Sequence, residues 1–199
     1  MIQAKNIIKS FDGQEILHDI SIDFEPGKKN LVIGQSGSGK TVLVKCLVGL
    51  HEVDSGGVFF DDRNFTQMND KERNNIRKEL GMLFQGSALF DNMTVEENVM
   101  FPLLMFSDMS QEERKERAEF CVRRVNLDLA PDKYPAEISG GMQKRAAIAR
   151  AIALNPKYLF CDEPNSGLDP KTAVVIDHLI AEITEEFNIT TIINTHDMN

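Results

Sequence analysis

Residues 34–41, GQSGSGKT, combine amino-acid types that together bind phosphate. They match the pattern G-x-x-x-x-G-K-[ST], in which glycines let backbone N–H groups wrap a β-phosphate, Lys40 neutralises the β and γ oxygens, and the Thr41 hydroxyl ligates Mg²⁺. The loop lies between a predicted strand, NLVIG, and a predicted helix, TVLVKCLVGL, as this chemistry requires. We therefore predict a site for a nucleoside triphosphate and Mg²⁺. Its predicted contacts are Gly34, Gln35, Ser36, Gly37, Ser38, Gly39, Lys40, Thr41 and Val42.

Two adjacent carboxylates in YLFCDEP are the predicted partners of this loop. Asp162 and Glu163 follow an apolar run that fits a buried strand. Asp162 would hold the metal through its water shell, and Glu163, pointing elsewhere, would polarise the attacking water. The alternative is an ordinary strand end with two exposed acids. A guanine-specific site is not predicted, because the sequence has no N-K-x-D motif.

A second candidate anion site lies at residues 137–145, EISGGMQKR. A serine and two glycines there precede a basic, alanine-rich helical run. The first N–H groups of a helix have no partner within the helix, and together with the helix dipole they attract an anion. We expect Lys144 and Arg145 to add positive charge just behind the helix start. Taken alone, the stretch also suits a glycine-containing loop before an ordinary helix.

Alternating strand and helix patterns position these motifs. Residues 1–30 indicate β-structure, and residues 87–135 indicate helices with capping boxes that begin at Thr94 and Ser110. Strands and helices alternate again from Ser139 to the end of the chain. Strands alternating with helices predict a largely parallel sheet covered on both faces, which is an α/β fold.

The ordered set GQSGSGKT, LFQG, ISGGMQKR, YLFCDEP, SGLDP and NTHD resembles the ATP-binding subunit of ABC transporters over essentially the whole chain. The resemblance implies a P-loop NTPase core with a mostly parallel sheet, an N-terminal antiparallel β subdomain and an inserted helical subdomain. It also implies that two copies associate head to tail. Each ATP would then lie between the glycine loop of one copy and the S-G-G helix start of the other. Ser139, Gly140 and Gly141 would complete the γ-phosphate site of the partner copy.

The same resemblance assigns roles to four further residues. Gln85, at the end of GMLFQ, would touch Mg²⁺ and the attacking water, and Asp169 in SGLDP would cross the dimer interface. His196 would contact the γ-phosphate. Phe11 in KSFDG would stack on adenine, the alternative being an aromatic core residue. The implied catalytic set is Glu163, His196 and Gln85, and the implied metal set is Thr41, Gln85 and Asp162.

A narrower resemblance concerns the transported substrate. The usual signature L-S-G-G-Q is here I-S-G-G-M, with Ile138 and Met142, so a glutamine contact to the ribose is in doubt. This version, with GMLFQGSALFDNMTVEENVMFPL upstream, is similar to Mla-type ATPases. Those energise phospholipid movement between bacterial envelope membranes, with a permease and an Mce-domain lipid-binding protein. Three alternatives stay open: another importer or exporter, a DNA-repair or ribosome ATPase, and a regulatory role in a cell-division complex.

Composition limits the partners and the compartment. The formal net charge of −9 argues against a nucleic-acid surface, and the three cysteines fit a reducing cytoplasm. No apolar run approaches the roughly 18 residues of a membrane helix, and the amino terminus has no signal-peptide core. We expect a cytoplasmic protein, peripheral on the inner face of the cell membrane. The apolar stretch NVMFPLLMF fits the core of the helical subdomain, a groove for a permease helix, or both.

The predicted domain organisation is a single ABC ATPase domain over residues 1–199. Residues 1–86 and 136–199 would form the β and catalytic core, and residues 87–135 the helical subdomain. The sequence ends three residues after His196, where relatives continue with more strands and a helix. We therefore expect a fragment that lacks the carboxyl-terminal part of the usual domain and hydrolyses ATP weakly.

Overall fold

The computed structural model describes residues 1–196. Asp197, the last residue of the NTHD motif, lies outside the described residues, as do residues 198–199. The strands are β1 Ile2–Phe11, β2 Gln14–Phe24, β3 Lys29–Ile33, β4 Ser55–Phe60, β5 Arg63–Asn64, β6 Leu80–Leu83, β7 Tyr158–Asp162 and β8 Thr190–Thr195. The helices are α1 Lys40–Leu47, α2 Asp70–Lys78, α3 Val95–Phe106, α4 Gln111–Arg124, α5 Gly140–Ile152 and α6 Pro170–Glu186, with 3₁₀ turns at Phe65–Gln67 and Pro135–Glu137.

The strands form two sheets, and the predicted α/β fold is confirmed. An antiparallel sheet has the order β2-β1-β4-β5, and a parallel sheet has the order β3-β8-β7-β6. The parallel strands are joined through helices, as crossover connections require. The capping boxes predicted at Thr94 and Ser110 are present at the starts of α3 and α4, where each hydroxyl accepts the backbone N–H three residues later.

Alternation along β7 orients the functional end of the parallel sheet. All of its residues are buried, and successive side chains point to opposite faces. Leu159 and Cys161 pack in a core with α3, α4, α5 and α6, whereas Tyr158 and Phe160 pack in a second core with α1 and the antiparallel sheet. Asp162 therefore shares the face of Phe160 and points to the side of the sheet that carries α1.

The helical region packs on the rest of the chain through a common core. Val95, Val99 and Leu103 of α3 are fully buried in the cluster that also contains Ile148 of α5 and Leu159 of β7. At its carboxyl end α3 instead exposes three apolar side chains. These are Leu104, Met105 and Phe106. Within residues 1–196 we find no helix with both the length and the apolar character to cross a membrane.

Candidate functional site

A cleft of about 460 Å³ opens where the phosphate loop meets the carboxyl ends of β6, β7 and β8. Ten of the residues predicted from the sequence line it. They are Phe11, Ser36, Gly37, Gly39, Lys40, Thr41, Val42, Gln85, Glu163 and His196. Ile16 of β2 also lines the cleft and was not predicted. Five separate stretches of sequence thus converge on one site, at the strand ends where parallel sheets bind ligands.

The phosphate loop has the geometry of an anion cradle. Gly37 and Gly39 have φ of 81° and 91°, a left-handed conformation that favours glycine. A Cβ on Gly39 would lie 3.0 Å from Leu17 and 3.2 Å from the Ile16 carbonyl oxygen. In the described part of the chain, no side chain caps the amino terminus of α1 and no acid occupies its first turn. Its N–H groups are therefore available to a phosphate.

Lys40 is folded back across the loop. Its Nζ donates to the carbonyl oxygens of Gly34 at 2.7 Å and Gln35 at 3.0 Å, and the side chain is buried. Ser38 closes the turn through its N–H, which donates to the Gln35 carbonyl at 3.2 Å. These bonds position one ammonium group beside a set of backbone N–H donors. This combination fits the β and γ oxygens of a nucleotide.

Thr41 and Asp162 meet as the metal prediction requires. The Thr41 hydroxyl lies 3.1 Å from Asp162 Oδ1. A hydroxyl and a carboxylate oxygen are hard donors, and Mg²⁺ takes few protein ligands beside waters and phosphates, so the pair fits this ion. Gln85 lines the same cleft, but its side chain donates to Ser166 Oγ at 3.2 Å and is not bonded to Asp162. Among residues 1–196 there is no group of three or more His, Cys, Asp or Glu side chains that could hold a metal.

Glu163 and His196 form the second functional pair. Glu163 Oε2 lies 2.7 Å from His196 Nδ1, with the glutamate side chain 13% and the histidine 59% exposed. Glu163 has φ of 49°, in the left-handed region that a glutamate rarely adopts. This turn separates the directions of the two acids, so that Asp162 faces Thr41 and Glu163 faces His196. The predicted division of labour between them is therefore geometrically available.

Asn194 is a site residue that the sequence prediction missed. It is fully buried on β8, directly opposite Asp162 in the strand register. Its Nδ2 donates to Asp162 Oδ1 at 2.7 Å and lies 3.5 Å from Thr41 Oγ1, while its Oδ1 accepts the Glu163 N–H at 2.8 Å. The available signal was an amide within the apolar strand TTIINT.

The two cations predicted behind the second helix start, Lys144 and Arg145, have different surroundings. Lys144 is buried, and its Nζ donates to the Gln85 carbonyl oxygen. Burial lowers the pKa of Lys144, an effect that the negative charge of Asp162 opposes. Arg145 donates to the carbonyl oxygens of Val125 at 3.3 Å and Asn126 at 2.8 Å. Arg145 also lines the cleft that contains Ser139 and Gly141, whereas Lys144 is directed to the backbone that follows β6.

Arg150, further along α5, contacts the same segment as Lys144. Its guanidinium donates to the Ser87 carbonyl at 2.8 Å and to the Ala88 carbonyl at 2.6 Å. Both of those residues have positive φ, 62° and 49°. Burial lowers the pKa of Arg150. Two cations of one helix thus hold the strained backbone that follows Gln85.

The S-G-G helix start faces a different cleft, of about 310 Å³. Ser139 and Gly141 line it together with Met142 and Thr172. Asp169 lies nearby as the N-cap of α6, where it accepts the N–H groups of Lys171 and Thr172 at 3.1 Å each. The Thr172 hydroxyl, 2.5 Å from Asp169 Oδ2, and these N–H groups hold the pKa of Asp169 below its usual value. In the described part of the chain, neither Ser139, Gly140 and Gly141 nor Asp169 lines the phosphate-loop cleft.

Comparison with known proteins identifies the class. The family model described as "ABC transporter" matches residues 17–166, so the chain belongs to the ABC transporter family. It contains the ATP-binding domain of that family, which is an ATPase domain. Over its full length the chain is 40% identical to a methionine import ATP-binding protein MetN of Clostridioides difficile, covering 61% of that protein. It is 37% identical to a probable ribonucleotide transport ATP-binding protein mkl of Mycobacterium leprae, covering 57% of it. The chain thus spans about three fifths of the length of these curated relatives.

Solved structures give the same class. The dimeric, post-hydrolysis state of the ATP-binding cassette MJ0796, bound to ADP and Pi, superimposes with a TM-score of 0.90 at 33% identity and covers all of this chain and 89% of that one. The cbiO1 protein of Clostridium perfringens, part of the cbiONQ transporter complex, has a TM-score of 0.90 at 29% identity, with 98% and 78% covered. The fold is therefore that of an ATP-binding cassette.

Proposed function

We propose that two copies of this chain close head to tail over two ATP molecules, hydrolyse them with Mg²⁺, and thereby drive an attached permease. The observation that carries this proposal is the separation of two half-sites. The phosphate-loop cleft holds Lys40 and Glu163, whereas Ser139 and Gly141 line another cleft. Head-to-tail closure of two copies would bring the first half-site of one copy and the second half-site of the other onto the same triphosphate. The dimeric structures of the similar cassette MJ0796 support the association of two copies.

In the proposed reaction the chain mainly positions groups and stabilises charge. Lys40 and the N–H groups of residues 37–41 bind the β and γ oxygens, and Phe11, half-exposed at the rim of the cleft, stacks on adenine. Glu163 accepts a proton from the attacking water, and His196 orients the Glu163 carboxylate through their 2.7 Å contact. Mg²⁺, held by Thr41 and through water by Asp162, with Gln85 beside it, would neutralise charge on the phosphate oxygens. From the partner copy, the Ser139–Gly141 helix start would bind the γ-phosphate and Asp169 would lie at the interface.

For the permease contact we propose the apolar end of α3. Leu104, Met105 and Phe106 are 51%, 59% and 50% exposed, although Val99 and Leu103 of the same helix are fully buried. Phe106 also borders a cavity of about 550 Å³ beside the polar helix α2. A flexible apolar surface beside a groove suits an amphipathic helix of a partner.

The substrate that we propose is a phospholipid, moved in the bacterial envelope together with a permease and an Mce-type protein, with the ATPase peripheral on the inner membrane face. The support is the SGGM signature with Met142 and the similarity of the segment upstream of it. A second candidate is methionine import, favoured by the 40% identity to a methionine import ATP-binding protein. Affinity purification of full-length protein from detergent-solubilised membranes separates the two. An Mce-domain protein would support the first candidate, and a methionine permease would replace it with the second.

Cysteine crosslinking tests the ATP sandwich. Ser38 and Ser139 are both exposed, so we would replace each by cysteine in full-length protein carrying Glu163→Gln, which blocks turnover. Cys46, Cys121 and Cys161 are buried and should stay unreactive, and burial raises the pKa of Cys46 and Cys121 to about 11. We expect a disulfide-linked dimer with ATP and none with ADP. Each single cysteine variant is the control, and no crosslink under ATP would refute the proposed dimer.

A further inference from the structure

We propose that Asn194 is a positioning residue for ATP hydrolysis, one that aligns the metal-binding and base carboxylates with each other. The inference rests on the proposed ATPase function. Asn194 is fully buried at the end of β8, and its amide joins the two adjacent acids of β7. It is therefore the one described side chain that bonds both the Asp162 carboxylate and the Glu163 backbone.

The first contact fixes Asp162. Both Asn194 Nδ2, at 2.7 Å, and the Thr41 hydroxyl, at 3.1 Å, bond to Asp162 Oδ1. The other carboxylate oxygen is not engaged by either group. An amide donor strengthens the acceptor role of one oxygen without adding charge, so the acid keeps its negative charge and one orientation. A cationic side chain at this position would compete with the metal, and an apolar one would leave the carboxylate free to rotate.

The second contact fixes Glu163. The Glu163 N–H is shared by the Asn194 backbone oxygen at 3.1 Å and by Asn194 Oδ1 at 2.8 Å. Glu163 has φ of 49°, a conformation that costs energy for a residue with a Cβ and persists only where its surroundings hold it. The Asn194 side chain provides one of the two hydrogen bonds that hold the Glu163 backbone in this conformation. Through it the Glu163 carboxylate stays 2.7 Å from His196 Nδ1, although Asn194 itself does not touch His196 in the described contacts.

The test variant is Asn194→Leu, which keeps the branched shape and removes both polar contacts. The matched control is Thr191→Val on the same strand, because Thr191 is equally buried and, within residues 1–196, its hydroxyl bonds only Thr184, at 2.7 Å and away from the cleft. We expect kcat of Asn194→Leu to fall about tenfold to a hundredfold with KM for ATP nearly unchanged, since displacing a reacting group by about 1 Å costs roughly 10²-fold. Thr191→Val should keep wild-type kcat.

A readout without turnover accompanies the kinetics. In nucleotide-free protein, the ¹⁵N chemical shift of His196 Nδ1, identified by its loss in His196→Gln, should change in Asn194→Leu and stay unchanged in Thr191→Val. If Asn194→Leu does not fold, Asn194→Ala replaces it in both measurements. A wild-type kcat, or a raised KM with wild-type kcat, would overturn the positioning role. If the wild-type protein itself does not hydrolyse ATP, the proposed function fails, and an unchanged His196 signal would then also overturn the role of Asn194.

Discussion

The close packing of Gly141 against α6 can be tested by adding one methyl group, as in Gly141→Ala. A Cβ built on Gly141 would lie 2.5 Å from Thr172 Cγ2, whereas a Cβ on Gly140 would meet only Leu168 Cδ2 at 3.8 Å. The first distance is a clash and the second an ordinary contact. Thr172 is β-branched, and its hydroxyl is held 2.5 Å from Asp169, so its methyl group cannot easily turn away.

The expected destabilisation follows from these distances. Overpacking of this kind costs about 1–3 kcal/mol, whereas replacing a helical glycine by alanine gains up to about 1 kcal/mol. Both variants share the gain, so the difference between Gly141→Ala and Gly140→Ala is the overpacking cost alone. For a chain of this length, about 1 kcal/mol corresponds to roughly 2–4 °C in Tm. We therefore expect the Tm of Gly141→Ala to lie about 2–12 °C below that of Gly140→Ala.

Thermal unfolding of the two variants measures this difference, and a double mutant isolates its cause. Adding Thr172→Ser removes the Cγ2 methyl group but keeps the hydroxyl bonded to Asp169. It should therefore restore most of the Tm lost in Gly141→Ala, although each change alone is neutral or destabilising. Equal Tm values for the two alanine variants, or no restoration by Thr172→Ser, would refute the claim that the α5 and α6 starts are in contact here.

Two further predictions concern other parts of the molecule. Lys40→Ala should weaken ATP binding at least tenfold, the loss of about 1.4 kcal/mol that a charged phosphate contact easily exceeds, as measured by isothermal titration. Lys45→Ala on the same helix is its control, and unchanged affinity in Lys40→Ala would remove that residue from the phosphate site. The pKa of Glu79 is lowered, chiefly because the Arg63 guanidinium binds its carboxylate at 2.8 and 2.9 Å. The ionised carboxylate therefore stabilises the fold above the ordinary pKa of 4.5, and this stabilisation is lost as the pH falls through the lower pKa of the folded state. Glu79→Gln should therefore be less stable than wild type by roughly 1 kcal/mol at pH 7 and equally stable in strong acid, whereas a pH-independent difference in urea denaturation would contradict this origin.

Short-range patterns carry much of the fold and of the phosphate site. The glycine spacing and its flanking strand and helix depend on neighbours in sequence, and Asp162 points to α1 because side chains alternate along β7. The capping boxes at Thr94 and Ser110 are similarly local. These features were predictable because their geometry repeats over a few residues.

The features that the sequence did not predict depend on strand register and on which face of a helix is buried. A single sequence specifies neither reliably. Asn194 joins the site only because β8 pairs with β7 so that it lies opposite Asp162. The burial of Lys144 was not predicted, although Lys144 precedes the fully buried Ala147 and Ile148 by three and four positions and therefore lies on the buried face of α5. Because lysine is so rarely buried, the prediction placed Lys144 at the surface even though its position in the helix favours the buried face.

The hydrogen bonds between α5 and the backbone of residues 85–88 have a consequence for ATP binding in the proposed dimer. The amino terminus of α5 would contact the ATP bound in the phosphate loop of the partner copy. Lys144 and Arg150 of the same helix bind the carbonyls of residues 85, 87 and 88, beside the ATP bound in the phosphate loop of their own copy. In the proposed dimer, a movement of this helix on binding one ATP would therefore displace the backbone beside the second site. Because such linkage is reciprocal, occupancy of either ATP site would then alter the affinity of the other by the same factor.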